Sequence, residues 1–154
     1  MNKIFIFFIA FFLLGGAKDK TAPKKEIINF DEKIREYYVS LPEDTSEPIP
    51  IIINFHGFLS HAIDQQGFSQ MDNYAHQNGM GVIYPEGVKR SWNVGKAMLN
   101  DENDIGFVNA LIDSVSSKYN IDSNRIYACG FSNGGTFSYE LMCGLSNKIA
   151  AFGS

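Results

Sequence analysis

At 154 residues, 45% hydrophobic and 19% charged, the chain has the balance of one globular domain at most. A formal net charge of −4 without a basic cluster gives no footing for nucleic-acid binding. No internal repeat or low-complexity tract points to a solenoid or a disordered linker.

Met1-Asn2-Lys3 is a short basic start, Ile4 to Leu14 is an unbroken apolar run, and Gly15-Gly16-Ala17 supplies small residues for cleavage. That pattern predicts a signal peptide over 1–17. The run is too short to span a bilayer, and no cysteine follows it to take a lipid. A secreted or periplasmic product without a stable membrane anchor is expected. Residues 18–33, opening on Lys-Asp-Lys-Thr-Ala-Pro-Lys-Lys, are expected to be a flexible leader. A folded domain is then expected over 34–154.

Ile34 to Ser40 reads as a strand, and Leu41 to Pro50, with three prolines, as a loop. Ile51-Ile-Ile-Asn-Phe55 is an apolar run suited to a strand covered on both faces, ending in His56-Gly57. Ser60 to Gly67 is expected to be loop. Ser69 to Asn78 is expected to be helix, with Met71, Tyr74 and Ala75 at helical spacing and Gly79 as its stop. Gly81 to Tyr84 reads as a strand closed by Pro85-Glu86-Gly87, and Lys89 to Asn103, with Trp92, as a long surface loop. Asp104 to Tyr119 carries an apolar stripe of Ile105, Val108, Leu111, Ile112, Val115 and Tyr119, with Asn103 as its cap. Asp101, Glu102 and Asp104 read as loop and helix-start charges. Arg125 to Cys129 is a strand, Thr136 to Cys143 a helix, and Ile149 to Ser154 the opening of a further strand. Cys129 in the strand and Cys143 far along the helix are not expected to bridge each other.

Strand and helix alternate from Ile51 onward, which predicts an α/β, doubly wound, mostly parallel sheet. In such sheets the chemistry gathers beyond the carboxyl ends of the strands. Gly130-Phe131-Ser132-Asn133-Gly134-Gly135 lies at one such end, between strand and helix, where G-x-S-x-G reads as a nucleophile elbow. The turn leaves little room for a Cβ at Gly130 or Gly134, and Gly135 lets the helix pack closely. Ser132 is the candidate nucleophile. A serine attack builds an oxyanion that needs two N–H donors. The candidates are the amide of Asn133, at the helix start, and that of Phe58, with His56 and Gly57 ordering the loop.

His56, His61 and His76 are the histidines of the chain, and all precede Ser132. His61 and His76 are expected to be solvated. A metal site from His56, His61 and Asp64 has no recognised ligand spacing behind it, so neither metal nor cofactor is expected.

Arg125-Ile-Tyr-Ala-Cys-Gly-Phe-Ser-Asn-Gly-Gly135 resembles the nucleophile segment of the secreted polyhydroxybutyrate depolymerase and feruloyl esterase group of the α/β-hydrolases. The resemblance extends, in order, to Phe55-His56-Gly57, to Gly81-Val-Ile-Tyr-Pro-Glu-Gly87, to Ser91-Trp-Asn93, to Asn103-Asp-Ile-Gly-Phe107 and to Ile121-Asp122. It implies a serine esterase working through an acyl-enzyme without cofactor, on hydroxyalkanoate polyesters or oligomers or on feruloyl and acetyl-type esters. In that group the acid and the histidine follow the nucleophile helix, and none of the three histidines here does. The chain is therefore expected to be the N-terminal part of an α/β-hydrolase domain, truncated after the nucleophile helix. The alternative is a non-catalytic, hydrolase-derived binding module.

Overall fold

The computed structural model describes residues 22–95 and 100–154. The expected signal peptide, 1–17, lies outside the described residues. Among the described residues six strands form one sheet in the order β1-β2-β4-β3-β5-β6. They are β1 (Lys24–Phe30), β2 (Lys33–Ser40), β3 (Ile49–Phe55), β4 (Gly81–Pro85), β5 (Ile121–Gly130) and β6 (Ala151–Gly153). β4, β3, β5 and β6 run parallel, and β2 and β1 add an antiparallel flank.

Helices cover both faces. Alternation along the strands sends Ile51, Ile53, Phe55 and Ile83 to one side and Val82 and Tyr84 to the other. The first side carries the larger core, with α3 (Asp104–Lys118) and α4 (Asn133–Leu145) laid on it through Phe107, Leu111, Val115, Phe137 and Leu141. The second carries α1 (Ala62–Ser69) and α2 (Met71–Gln77), with Ala62 and Ala75 buried against it. Asn103 caps α3, its side chain accepting from the Gly106 amide at 3.0 Å.

Several expectations give way. Lys24 to Phe30 is no leader; it is an edge strand paired with β2 along its whole length. Its polar look misleads because Glu26 is a buried carboxylate, taking hydrogen bonds from Tyr37 at 3.0 Å and Tyr119 at 2.6 Å. The turn that folds it back uses Asp31 and Glu32, both at positive φ without the usual glycine or asparagine. The expected loop at 60–67 contains most of α1, whose first amide, Ala62, is capped at 2.8 Å by the carboxylate of Glu86, 24 residues on. The helix expected over 69–78 starts only at Met71, because Gln70 breaks it from α1 in the left-handed region.

The stretch 89–103 is not simply surface. Trp92 is fully buried, as is Asn100 nearly so, while 96–99 lie outside the described residues. Asp104 is no solvated helix-start charge either. It is 1% exposed and paired at 2.8 Å with Arg35, whose guanidinium also lies over the Phe107 ring. Burial pushes the Asp104 carboxyl upward, against Arg35 and the Asn93 amide, which favour its charged form. Cys129 and Cys143 are both free. Among the described residues no helix is long and apolar enough to cross a membrane.

Candidate active site

β3 and β5 lie side by side and end together, Phe55 in register with Gly130. The Phe131 amide donates to the Phe55 carbonyl at 3.1 Å and carries the pairing one residue further. The segments 56–58 and 131–133 are therefore adjacent at the carboxyl edge of the sheet.

Beyond Gly130 the chain reverses. Ser132 has φ 53° and ψ −116°, a conformation that L-residues seldom adopt and that survives only where neighbours enforce it. The enforcing contacts are visible. Gly134 N donates to Phe131 O at 2.9 Å, and Thr136 N to Ser132 O at 2.9 Å to begin α4. A Cβ on Gly130 would stand 2.5 Å from the Gly134 carbonyl carbon, so that glycine serves the turn itself. A Cβ on Gly134 would stand 2.4 Å from Phe55 O and 2.5 Å from His56 O. That second glycine thus serves the approach of α4 to the end of β3, a reason the turn alone does not supply. At Gly135 a Cβ would meet Ser154 Cβ at 3.0 Å.

Ser132 is exposed, and its side chain makes no cap bond to its own helix. It opens on a cavity of about 320 Å³ lined also by Gly57, Phe58, Gln65, Phe68 and Phe131. Phe68 and Phe131 face each other there, ring centres 5.2 Å apart. A larger cavity, about 590 Å³, lies between Leu41, Pro42 and Tyr119 away from these strand ends, and it contains no candidate nucleophile.

Asn133 is the first residue of α4, so its amide has no partner within the helix and sits at the positive end of the helix dipole. The Phe58 amide has no acceptor among the described residues. Its loop is held on both sides. Leu59, at φ 61°, donates its amide to Arg90 O at 2.9 Å, Arg90 Nη1 returns a bond to Leu59 O at 3.2 Å, and Ser60 N donates to Gly57 O at 3.2 Å.

His56 lies under the loop and not in the cavity. Its ring is buried, Nε2 accepting from the Gly87 amide at 2.9 Å and Nδ1 standing 2.8 Å from Gly57 O. An acceptor at Nε2 assigns the proton to Nδ1, and burial lowers the pKa, so the ring is a neutral brace between two loops. Trp92 packs beside it. Its indole stacks on Phe137 with centres 5.1 Å apart and meets Phe55 edge-on at 5.0 Å. The indole N–H donates to His56 O at 3.0 Å. The Asn133 side chain grips the same residue's backbone, accepting from Trp92 N at 2.8 Å and donating to Trp92 O at 3.1 Å.

The other histidines are not drawn in. His61 is half exposed, with Nδ1 3.0 Å from Glu86 Oε1. His76 meets Ser40 Oγ at 3.2 Å, at the far end of the sheet, where Ser40 pairs with the start of β4. His56, His61 and Asp64 do not converge: Asp64 accepts instead from the His61 amide at 3.2 Å. Among the described residues no group of three His, Cys, Asp or Glu could hold a metal ion. Sequence reasoning missed Gln65 and Phe68, which reach the cavity because 62–69 is helical; it noted Trp92 in the Ser91-Trp-Asn93 stretch but left it in a surface loop, and it gave no role to the Asn133 side chain. A lone tryptophan in a polar stretch was the available signal for the last two.

No protein-family model matches the chain. It is 32% identical over 120 residues, 77% of its length, to a bifunctional acetylxylan esterase/xylanase of Neocallimastix patriciarum, and 35% identical over 106 residues, 66% of its length, to feruloyl esterase B of Piromyces equi. The chain spans only 17% and 20% of those two relatives. An acetyl xylan esterase structure from Aspergillus awamori superposes with a TM-score of 0.73 at 18% identity, over 84% of this chain and 50% of that one. The fold is α/β, of the α/β-hydrolase kind.

Proposed function

We propose that the chain carries the nucleophile-bearing part of a serine esterase that hydrolyses carboxylic esters through an acyl-enzyme. The observation behind this is the position of Ser132. It is an exposed serine on a strained corner, in one cavity with the Phe58 loop and one residue from the Asn133 amide. In this reading Ser132 Oγ attacks the acyl carbon and the amides of Asn133 and Phe58 receive the oxyanion. The ester oxygen leaves as the alcohol, and water then releases the acid from Ser132.

The names of the relatives direct the choice of substrate to feruloyl and acetyl esters of plant polysaccharide; hydroxyalkanoate esters belong in the same test panel. The proton acceptor for Ser132 is not His56, whose two nitrogens are both engaged, nor His76 at the other end of the sheet. The family resemblance puts the base after the nucleophile helix, where none of His56, His61 and His76 lies, so we assign the role to a histidine other than these three and export to the 1–17 segment. The test is hydrolysis of p-nitrophenyl butyrate and methyl ferulate by the complete gene product. Turnover should vanish in Ser132→Ala. Unchanged turnover in that variant ends the serine mechanism, and a complete product inert on every ester favours the non-catalytic module.

A further inference from the structure

The two amides assigned to the oxyanion belong to different strands' ends, and nothing in either local turn sets the distance between them. Trp92 touches both. Its indole N–H fixes the carbonyl of His56, the peptide that leads into Gly57 and Phe58. Its backbone N–H and C=O are both held by the side chain of Asn133, whose own amide is the other donor. The ring is wedged between Phe55 of β3 and Phe137 of α4. Below it, His56 ties Gly57 to Gly87, so the loop that carries Trp92 is anchored to the same strand end.

We infer that Trp92 is a positioning residue which, through His56 O on one side and the Asn133 carboxamide on the other, sets the spacing of the two oxyanion donors. This rests on the serine-esterase reading. Three bonds between neutral groups, fully buried with Trp92 at 0% exposure, have no water to replace them when one is removed. An oxyanion donor displaced by a fraction of an ångström loses its advantage in the transition state while the planar ground state is bound as before. The role is thus distinct from general packing, which the aromatic stack supplies and which Phe at 92 largely keeps.

The experiment uses the complete gene product, with Ser132→Ala as reference. In Trp92→Phe, kcat for p-nitrophenyl butyrate should fall by about tenfold or more with KM changed less than about twofold. Inhibition by butylboronic acid, which forms a tetrahedral adduct on serine, should weaken by the same factor as kcat. Asn133→Asp, which keeps an acceptor for Trp92 N but sets an oxygen against Trp92 O, should give the same signature with its main-chain amide intact. Wild-type kcat in a folded Trp92→Phe overturns the inference, as does a rise in KM without loss of boronate affinity. If neither variant folds, the circuit serves stability and the inference is also overturned. Turnover that survives Ser132→Ala defeats the esterase reading itself, whereas its loss there beside full activity in Trp92→Phe defeats only the role of Trp92.

Discussion

Gly134→Ala isolates the contact between the candidate elbow and the strand beside it. The added Cβ would lie 2.4 Å from Phe55 O, 2.5 Å from His56 O and 2.7 Å from Phe55 C, all backbone atoms. Ordinary contact requires about 1 Å more, so one side must move. β3 is the central strand between β4 and β5, and His56 O is held by the Trp92 indole. The start of α4 must therefore move outward, taking Ser132 and the Asn133 amide with it. Overpacking of this kind costs about 1–3 kcal/mol, a fall in Tm of roughly 2 to 12 °C for a domain of about 150 residues or more. A misplacement near 1 Å at reacting groups costs on the order of 100-fold in rate. Differential scanning calorimetry and kcat/KM on p-nitrophenyl butyrate, both in the complete gene product, read the two effects. Gly67→Ala is the control, because nothing lies within 4 Å of its Cβ position in α1. It should stabilise by about 0.5–1 kcal/mol through helix propensity. A Gly134→Ala enzyme with wild-type Tm and rate would refute the claim that this glycine sets the approach of α4 to β3.

Two further predictions test other parts of the molecule. Burial works to raise the pKa of Glu26, but hydrogen bonds from Lys118, Tyr119, Lys24 and Tyr37 outweigh it and hold the carboxyl at about 2, below the ordinary 4.5. A depressed folded-state pKa gives stability that is present above pH 4.5 and lost as pH falls toward 2. The gap is worth at most about 3 kcal/mol, less screening at the half-exposed or more exposed Lys118 and Lys24. Urea titrations should show Glu26→Gln less stable than wild type at pH 7, with the difference closing toward pH 2; a constant difference would contradict the assignment. Burial pushes the Cys129 thiol up to about 11, while Cys143 is exposed. Ellman's reagent at pH 8 should therefore reach Cys143 but not Cys129 in the native gene product and both in urea, so that Cys143→Ser should remove one native thiol and Cys129→Ser none.

What the sequence made legible followed from local rules. The apolar run at 51–55, the stripe from Val108 to Val115 and the glycines around Ser132 each obey a short period or a steric demand that can be read without neighbours. What it hid was decided at long range. α1 owes its start to Glu86, and β1 is a strand because Glu26 finds donors on β2 and α3 that let a carboxylate be buried in it. Asp104 looked like a helix-start charge because one position cannot announce that Arg35, 69 residues earlier, will meet it in the core.

The same distinction explains the build of the candidate site. The elbow is largely local: the steric demand at Gly130 and the bonds from Gly134 and Thr136 that hold Ser132 in its strained backbone all fall within 130–136. A pair of donors is not local, since Phe58 and Asn133 follow different strands and each turn can be well formed while their separation is wrong. A third segment has to measure that separation. The stretch from Gly87 to Asn93 does so with His56 bound to Gly87, and Trp92 bound to both His56 and Asn133. Its outer end is fastened in turn, Asn93 N to Asp104 Oδ2 at 2.9 Å, and Asp104 to Arg35 of β2. The buried ion pair is thus the remote anchor of the loop that spans the site. Loss of Asp104 would loosen that loop, which the bonds from Asn93 Nδ2 to Glu102 O and from Asn100 Nδ2 to Ser91 O still tie, while β2 stays paired with both β1 and β4 by backbone bonds that involve neither side chain.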